Sequence, residues 1–339
     1  MPGRKVVITG IGPVTPIGIG VDDFWTGATS GRNGIGPITR FDASDLPVKL
    51  SGEVPGFDPG DWLDPKEVRR TDRFVHLAMA AAKLAWADAG EPSVPSDRAG
   101  ILVGTGIGGI ETLLDNHRTM LERGPGRVSP FMVPGLMANG PGGHIAMWLK
   151  LTGPNFATVS ACASGAHAVG EAFRMVRDGR VDLAVAGGSE SATLPICIAA
   201  FAQMGALTKE PDPERACRPF DVERSGQVLG EGAATLVLER REIALRREAT
   251  ILAEIRGFGS AGEASVRGVG VTFTHALSQH VRGAVDYSVS TANWLDRPAP
   301  VEYAVLTHWM PSVVRQNGDR IQDVTTSLDA DVPMTATRI

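Results

Sequence analysis

The chain has 339 residues, a mass of 35.7 kDa and a hydrophobic content of 43%, which suffices for a large core and excludes disorder as its main state. A formal net charge of −5 and a pI near 5.8 give no electrostatic footprint for nucleic acid. Three cysteines without zinc-type spacing argue against a disulfide framework, and no apolar run reaches the roughly 18 residues of a membrane span, so we expect a cytoplasmic protein.

Apolar segments with glycine-rich exits recur along the first 255 residues. Their hydrophobicity is continuous rather than alternating, which predicts strands covered on both faces. Helical patterns lie between them at residues 72–90 and 165–179, and the second closes at a C-cap glycine. The order indicates a β/α alternation around buried strands. The predicted strands are residues 5–12, 99–109, 156–161, 181–191 and 233–239.

Cys162 stands between the predicted strand at 156–161 and the helical pattern that follows it. A cysteine nucleophile must be a thiolate, and a helix N-terminus lowers the free thiol pKa of about 8.5. The small neighbours Ala161 and Gly165 leave room for an acyl chain and for N–H groups that bind an oxyanion. The turn is analogous to the nucleophile elbow of serine hydrolases. On this local pattern, a buried structural cysteine is an equal alternative.

The other cysteines and the nearest histidine lack that setting. Cys197 and Cys217 are not followed by a small-residue helix, so we predict that both are structural. His167 follows Cys162 by five positions, which puts the two side chains on different faces of a helix, and it is also expected to be structural.

The residues around Cys162, VSACASGAHAVGEA, closely resemble the active-site segment of the elongating β-ketoacyl-[acyl-carrier-protein] synthases, which are thiolase-like condensing enzymes. This resemblance favours Cys162 as the acyl-accepting nucleophile. Further segments resemble the same family in the same order and extend the match over most of residues 3–258: RKVVITGIGPVTPIG, GILVGTGIGG, VSPFMVPGLMANGPGG and RPFDVERSGQVLGEGAATLVLE.

The resemblance implies an α/β, thiolase-like fold with αβαβα layers, whose second half is here truncated or divergent. It implies a homodimer, or a heterodimer with another synthase, acting on acyl and malonyl groups carried on the phosphopantetheine of acyl carrier protein. No cofactor and no metal are implied, and the sequence has no complete nucleotide-binding motif. Positions that line the family's acyl pocket, with ordinary core as the alternative, are Ile107, Phe131, Met132 and Phe201.

The resemblance fades near residue 260, where the composition changes. Only four glycines follow Ala264, and the last lysine of the chain is Lys209. The family's HGT and KxxxGH motifs, whose two histidines and lysine serve decarboxylation, are missing. We therefore predict two parts: residues 1–255, a condensing-enzyme half with the nucleophile, and residues 256–339, an atypical remnant of the second half. His308 is a weak candidate for the first histidine.

The function favoured by the resemblance is a β-ketoacyl synthase of fatty-acid or polyketide elongation. Cys162 would accept an acyl group, and a decarboxylative Claisen condensation with a malonyl thioester would follow, although full condensation is in doubt without the His and Lys motifs. One alternative is a degenerate, non-catalytic partner subunit of a condensing-enzyme dimer, and the retained cysteine counts against it. Another is a frame-disrupted product able only to accept an acyl group.

Overall fold

A computed structural model describes residues 4–259, 267–276, 281–292, 319–332 and 337–338 of the chain. The described strands are β1 (Val6–Thr15), β2 (Gly18–Ile19), β3 (Gly36–Pro37), β4 (Leu50–Ser51), β5 (Ala99–Gly104), β6 (Asn155–Phe156), β7 (Leu183–Ser191), β8 (Glu231–Arg240), β9 (Ala253–Phe258), β10 (Arg267–Ala276), β11 (Val281–Ala292), β12 (Asp319–Val332) and β13 (Thr337–Arg338). The helices are α1 (Val21–Ser30), α2 (Pro65–Val68), α3 (Arg73–Asp88), α4 (Ile110–Arg123), α5 (Met132–Leu136), α6 (Gly140–Leu149), α7 (Ser164–Arg177), α8 (Pro195–Gln203), α9 (Pro213–Ala216) and α10 (Arg241–Arg246).

The chain packs as two compact units. The larger unit contains residues 10–169 and 183–237, and the smaller unit contains the described parts of residues 1–9, 170–182 and 238–339. The two units are defined by which residues pack together. The predicted boundary at residue 255 divides the chain differently, into a condensing-enzyme half and a remnant of the second half, and it stays a prediction.

The larger unit contains part of a sheet with the strand order β1-β8-β7-β5-β6, namely β1 from Gly10 onward, β8 as far as Val237, and all of β7, β5 and β6. Strands β5 and β7 are parallel, with a register from Ala99↔Leu183 to Gly104↔Gly188. Every residue of β5 is buried, which confirms the prediction from its continuous hydrophobicity that both of its faces are covered. The carboxyl ends of β5 and β7 therefore meet at one edge of the sheet.

Helix α3 supplies much of the apolar core of the larger unit. It begins after Asp72, whose side chain accepts a hydrogen bond from the Phe74 N–H, as expected for an N-cap aspartate. The helix packs against β7 and α6. Phe74 and Leu77 are fully buried, and each such side chain contributes about 1.5–3 kcal/mol of hydrophobic stabilisation. The predicted helix at 72–90 is thus confirmed.

The smaller unit is an antiparallel arrangement. Strand β9 pairs with the first residues of β1, from Val6↔Ile255 to Ile8↔Ala253. Strands β10 and β11 pair from Arg267↔Thr291 to Ala276↔Arg282, and β11 pairs with β12 in turn. The sequence did not predict β10 to β12, because they interrupt the β/α alternation on which the earlier elements were recognised.

Two predicted strands need separate comment. Residues 156–161 were predicted as one strand, but β6 ends at Phe156, and the chain then turns towards Cys162. That prediction is wrong beyond Phe156, because local hydrophobicity does not report where the backbone leaves the sheet. The sequence VEYAVLTHWM at residues 301–310 could also form a strand, but this segment and its His308 lie outside the described residues. No helix in the described part of the chain is long and apolar enough to cross a membrane.

Candidate active site

Cys162 lies in a tight turn that joins β6 to α7. Helix α7 begins at Ser164, two positions after the cysteine, so the thiol is at the helix end where the macrodipole is positive. Ala161 has a φ of 52°, a left-handed conformation that is uncommon for residues other than glycine and that recurs at functional sites. Cys162 is exposed. The structure therefore presents this thiol at a strained turn rather than in the core.

The side chain of Ser164 holds this turn together. Its Oγ accepts a hydrogen bond from the Ser160 N–H at 2.9 Å and donates one to the Ala161 carbonyl at 2.7 Å. The Thr158 hydroxyl donates to the Ser164 carbonyl at 2.7 Å. Ser164 is buried, and a buried hydrogen bond costs about 1–3 kcal/mol when one partner is lost. The hydrogen bonds of Ser164 thus hold the backbone in place on both sides of Cys162.

Backbone packing explains why glycines surround the turn. A Cβ on Gly104, the last residue of β5, would lie 2.2 Å from the Ser164 carbonyl oxygen. A Cβ on Gly188 of β7 would lie 2.9 Å from the Cα of Gly165. The first turn of α7 therefore rests directly on the backbone of both strands, and larger residues would push the cysteine away from the sheet edge.

Cys162 opens into a cavity of about 510 Å³ in the larger unit, a volume within the usual range for small-ligand sites. Ile107 and Phe201 line this cavity, so the structure brings two of the four predicted pocket residues to the cysteine. Further lining residues are Thr15, Pro16, Gly104, Thr105, Gly106, Ala161, Ser164, Gly165, Gly188, Ser189, Glu190, Ala192, Gln227, Leu229, Glu231, Gly232, Ala233 and Ala234.

The other two predicted pocket residues lie elsewhere in this chain. Phe131 lines a separate cavity, and its ring lies 4.3 Å from the guanidinium carbon of Arg70. Met132 is the first residue of α5 and is not among the residues that line the Cys162 cavity. Within a single copy of the chain, neither side chain reaches the cysteine. Their role in an acyl pocket stays a prediction.

The remaining cysteines and His167 differ from Cys162 in their surroundings. His167 Nδ1 is 2.7 Å from the Ser160 hydroxyl. Cys197 packs in a buried apolar cluster with Ala192 and Leu194, and burial raises the pKa of its thiol, which disfavours the reactive thiolate. Cys217 is exposed and does not line the cavity. The burial of Cys197 is consistent with its predicted structural role, whereas the exposed position of Cys217 gives no support to one, and the roles of all three residues stay predictions.

Two carboxylates that sequence reasoning did not single out line the cavity: Glu231 is buried and Glu190 is half-buried. Glu190 accepts hydrogen bonds from the Gly106 N–H at 2.7 Å and from the Thr105 hydroxyl at 3.1 Å. Glu231 is paired with the guanidinium of Arg73. A signal was available, because each glutamate interrupts an apolar, glycine-rich strand sequence, and a carboxylate is rarely buried without a partner.

The pKa values of the two carboxylates are shifted in opposite directions. Burial raises the pKa of Glu190, against the opposing effect of the Gly106 and Thr105 hydrogen bonds. Burial would also raise the pKa of Glu231, but the Arg73 hydrogen bonds and charge outweigh it and hold that pKa below its ordinary value. In the part of the chain that the structure describes, no three His, Cys, Asp or Glu side chains are grouped to hold a metal ion.

Known proteins resemble this chain both in sequence and in fold. The family described as "Beta-ketoacyl synthase, N-terminal domain" matches residues 3–244. The 3-oxoacyl-[acyl-carrier-protein] synthase 2 of Synechocystis sp. is 46% identical over 264 residues, which are 77% of this chain and 64% of that protein. The chain thus spans less than two thirds of this relative's length.

Solved structures give the same result. A beta-ketoacyl synthase from Burkholderia phymatum STM815 superposes with a TM-score of 0.69 at 37% identity, over 77% of this chain and 65% of that one. A type II PKS acyl-carrier protein in complex with its ketosynthase gives a TM-score of 0.67 at 26% identity, over 76% of this chain and 64% of that one.

Proposed function

Because the chain belongs to the β-ketoacyl synthase family and has its thiolase-like α/β fold, we propose that it accepts an acyl group on Cys162 as the first step of fatty-acid or polyketide elongation. The observation that carries this proposal is the exposed Cys162 thiol at the start of α7, open to a cavity of about 510 Å³. That volume suits an acyl chain.

In the proposed acyl transfer, the reacting atom is the Cys162 sulfur. The thiolate attacks the carbonyl carbon of the incoming thioester, and a new bond forms between that carbon and Sγ. The bond from the carbonyl carbon to the carrier's sulfur breaks, and the carrier thiol leaves with the proton that Cys162 lost. In the second step of the family's reaction, a malonyl thioester loses CO₂, and its enolate carbon attacks the acyl carbonyl and releases Cys162; we expect this chain to perform that step slowly.

Intact-protein mass spectrometry tests the first step. After incubation with an acyl thioester, we expect the wild-type chain to gain the mass of one acyl group, and we expect Cys162→Ala to gain none. Cys217→Ala is the matched control, because it removes the other exposed thiol, and it should acylate like wild type. An adduct that survives in Cys162→Ala, or no adduct in wild type, would contradict the proposal.

We propose that the acyl donor is acyl carrier protein with phosphopantetheine-linked substrates. The solved relative bound to its acyl-carrier protein supports this partner. The segment at α2 supports it independently, because Lys66, Arg69 and Arg70 are exposed in a span of five residues. Such a cluster attracts anionic partners, and phosphopantetheine carries a phosphodiester. The same assay should show carrier-borne acyl groups transferring more slowly as salt rises, while a small uncharged thioester is unaffected.

We also propose that two copies of the chain pair through the β6 edge of the larger unit. Strand β6 is the last strand at that end of the described sheet, and an edge strand offers unpaired N–H and C=O groups. Helix α6 contacts β6 and exposes Met147 and Trp148, while Phe156 of β6 and Val159, three residues further along the chain, are also exposed. An apolar surface at an open strand edge favours a protein interface.

Sedimentation velocity tests this dimer. We expect wild type to sediment with twice the 35.7 kDa mass of the chain, and we expect Phe156→Asp to sediment as a monomer, because a carboxylate at the interface centre is left without a partner. Met204→Asp is the control at an exposed apolar residue of another helix end. A monomeric wild type that dimerises only with a related synthase would favour the heterodimer instead.

We propose that the protein is cytoplasmic, because of the state of its cysteines. All three are free thiols, which is the expected state in a reducing compartment.

A further inference from the structure

Glu190 is a carboxylate in the Cys162 cavity that acyl transfer does not use. It belongs to β7, and it lines the cavity together with Thr105, Gly106 and Ile107. Its Oε2 accepts the Gly106 N–H at 2.7 Å, and its Oε1 accepts the Thr105 hydroxyl at 3.1 Å. Both contacts are to one segment, the loop that follows β5.

Further hydrogen bonds hold this loop next to the Cys162 turn. The Thr105 hydroxyl also accepts the Gly108 N–H at 3.1 Å, and the Thr105 N–H donates to the Thr158 carbonyl at 3.2 Å. A Cβ on Gly106 would lie 2.9 Å from Glu190 Oε2 and 3.6 Å from the Ala161 carbonyl oxygen. The loop therefore runs between the Glu190 carboxylate and the Cys162 turn, and Glu190 links the two sides of the cavity.

The loop carries Ile107 into the cavity. This side chain lines the space that Cys162 opens into, and the residue keeps 42% of its surface exposed. The position of an apolar side chain in such a wall decides how long an acyl chain fits, because one methylene changes selectivity about 10- to 200-fold in an apolar pocket. The Ile107 side chain keeps its position only if the backbone of its loop keeps its conformation.

We infer that Glu190 is a positioning residue for acyl-chain selection: its carboxylate holds Thr105 to Ile107 as one wall of the cavity and so sets the chain length accepted at Cys162. This inference rests on the proposed acyl transfer. Glu190 is half-buried, and hydrogen bonds to a carboxylate that is partly removed from water are among the stronger ones in proteins. Glu190 does not touch the reacting atoms in this role.

Alkylation of Cys162 by N-alkyl iodoacetamides with short and long chains tests the inference without any acyl donor. Wild type should give a fixed ratio of long-chain to short-chain rates. In Glu190→Gln, an NH₂ group replaces one of the two carboxylate oxygens and the charge is lost, so either the Gly106 N–H or the Thr105 hydroxyl loses its acceptor and the remaining hydrogen bond is weaker. We expect the released wall to raise that ratio at least ~10-fold, the discrimination that one methylene can provide.

Glu53→Gln is the matched control. Glu53 also anchors a loop through its carboxylate, which accepts the Thr39 N–H and hydroxyl, but it does not line the Cys162 cavity. This variant should keep the wild-type ratio. General loss of folding would change the rates of both probes together, whereas a displaced wall changes their ratio. An unchanged ratio in Glu190→Gln, or an equal change in Glu53→Gln, would overturn the inference.

A second variant covers the case in which Glu190→Gln does not fold. Thr105→Val removes the hydroxyl that joins Glu190 to the loop and keeps the side-chain shape, and it should shift the ratio in the same direction. If it leaves the ratio unchanged, the inference is wrong. A shifted ratio in a chain that no thioester acylates would defeat the proposed function while leaving the positioning role of Glu190 standing.

Discussion

When the 339-residue chain is given an acyl donor and a malonyl thioester, Cys162 should become acylated, but little condensation product should form. Decarboxylation depends on donors that stabilise the enolate oxygen, and loss of one such donor costs about 10²–10³ in rate. The synthase family uses two histidines and a lysine in HGT and KxxxGH motifs, which this sequence lacks, with no lysine after Lys209. Product should therefore form at least ~10³-fold more slowly than in an intact relative.

Release of CO₂ and the mass of the β-ketoacyl product measure this step separately from acylation. His308→Ala is the informative variant, because His308 is the one weak candidate for the first histidine and lies outside the described residues. We expect it to behave like wild type. Condensation at the rate of an intact synthase would refute the prediction, and its loss in His308→Ala would identify that residue as the missing histidine.

Replacing Glu231 by glutamine should destabilise the larger unit by about 3–5 kcal/mol, the usual cost of breaking a buried ion pair. The Glu231 side chain has 0% exposure, and Arg73 binds both of its oxygens at 2.7 and 2.6 Å. Arg40, Ser191 and the Val54 N–H complete its contacts. A neutral amide would leave two largely buried guanidinium groups without their shared anion.

Urea denaturation followed by tryptophan fluorescence measures this cost, because Trp62, Trp86 and Trp148 lie in the larger unit. Glu223→Gln, at a largely exposed carboxylate, is the control and should change the free energy of unfolding by less than ~0.5 kcal/mol. A cost for Glu231→Gln below ~1 kcal/mol would mean that the neighbouring groups, or solvent, compensate the lost charge.

The same variant should alter the response to acid. The pKa of Glu231 is lowered in the folded chain, so its contribution to stability is present above the unfolded glutamate pKa of about 4.3 and is lost as pH falls through the folded value. Wild type should therefore lose more stability than Glu231→Gln below about pH 4. If the free energy of unfolding falls equally in the two proteins as the pH is lowered, Glu231 does not cause this pH dependence.

The local elements were predictable because each carries its own signal. Helix α3 has an N-cap aspartate and an apolar face, and β5 is continuously apolar, so a short window of sequence is enough to recognise them. The cysteine turn was recognised for a similar reason, since small residues, a strand and a helix start lie within a few positions of Cys162. The end of β6 at Phe156 was missed, because leaving a sheet depends on the neighbouring strand.

The amino-acid sequence by itself determined the family and most of the strands and helices that it predicted up to about residue 255, and it singled out Cys162 as the candidate nucleophile, because these depend on contiguous patterns and motifs. Only the tertiary structure decided which side chains share the cavity. Glu190 is 84 positions from Gly106, and Glu231 is 158 positions from Arg73. The tertiary structure also shows that Phe131 lines a different cavity from Ile107 and Phe201. No local pattern encodes such contacts, because they form only when the sheet brings distant segments to one edge.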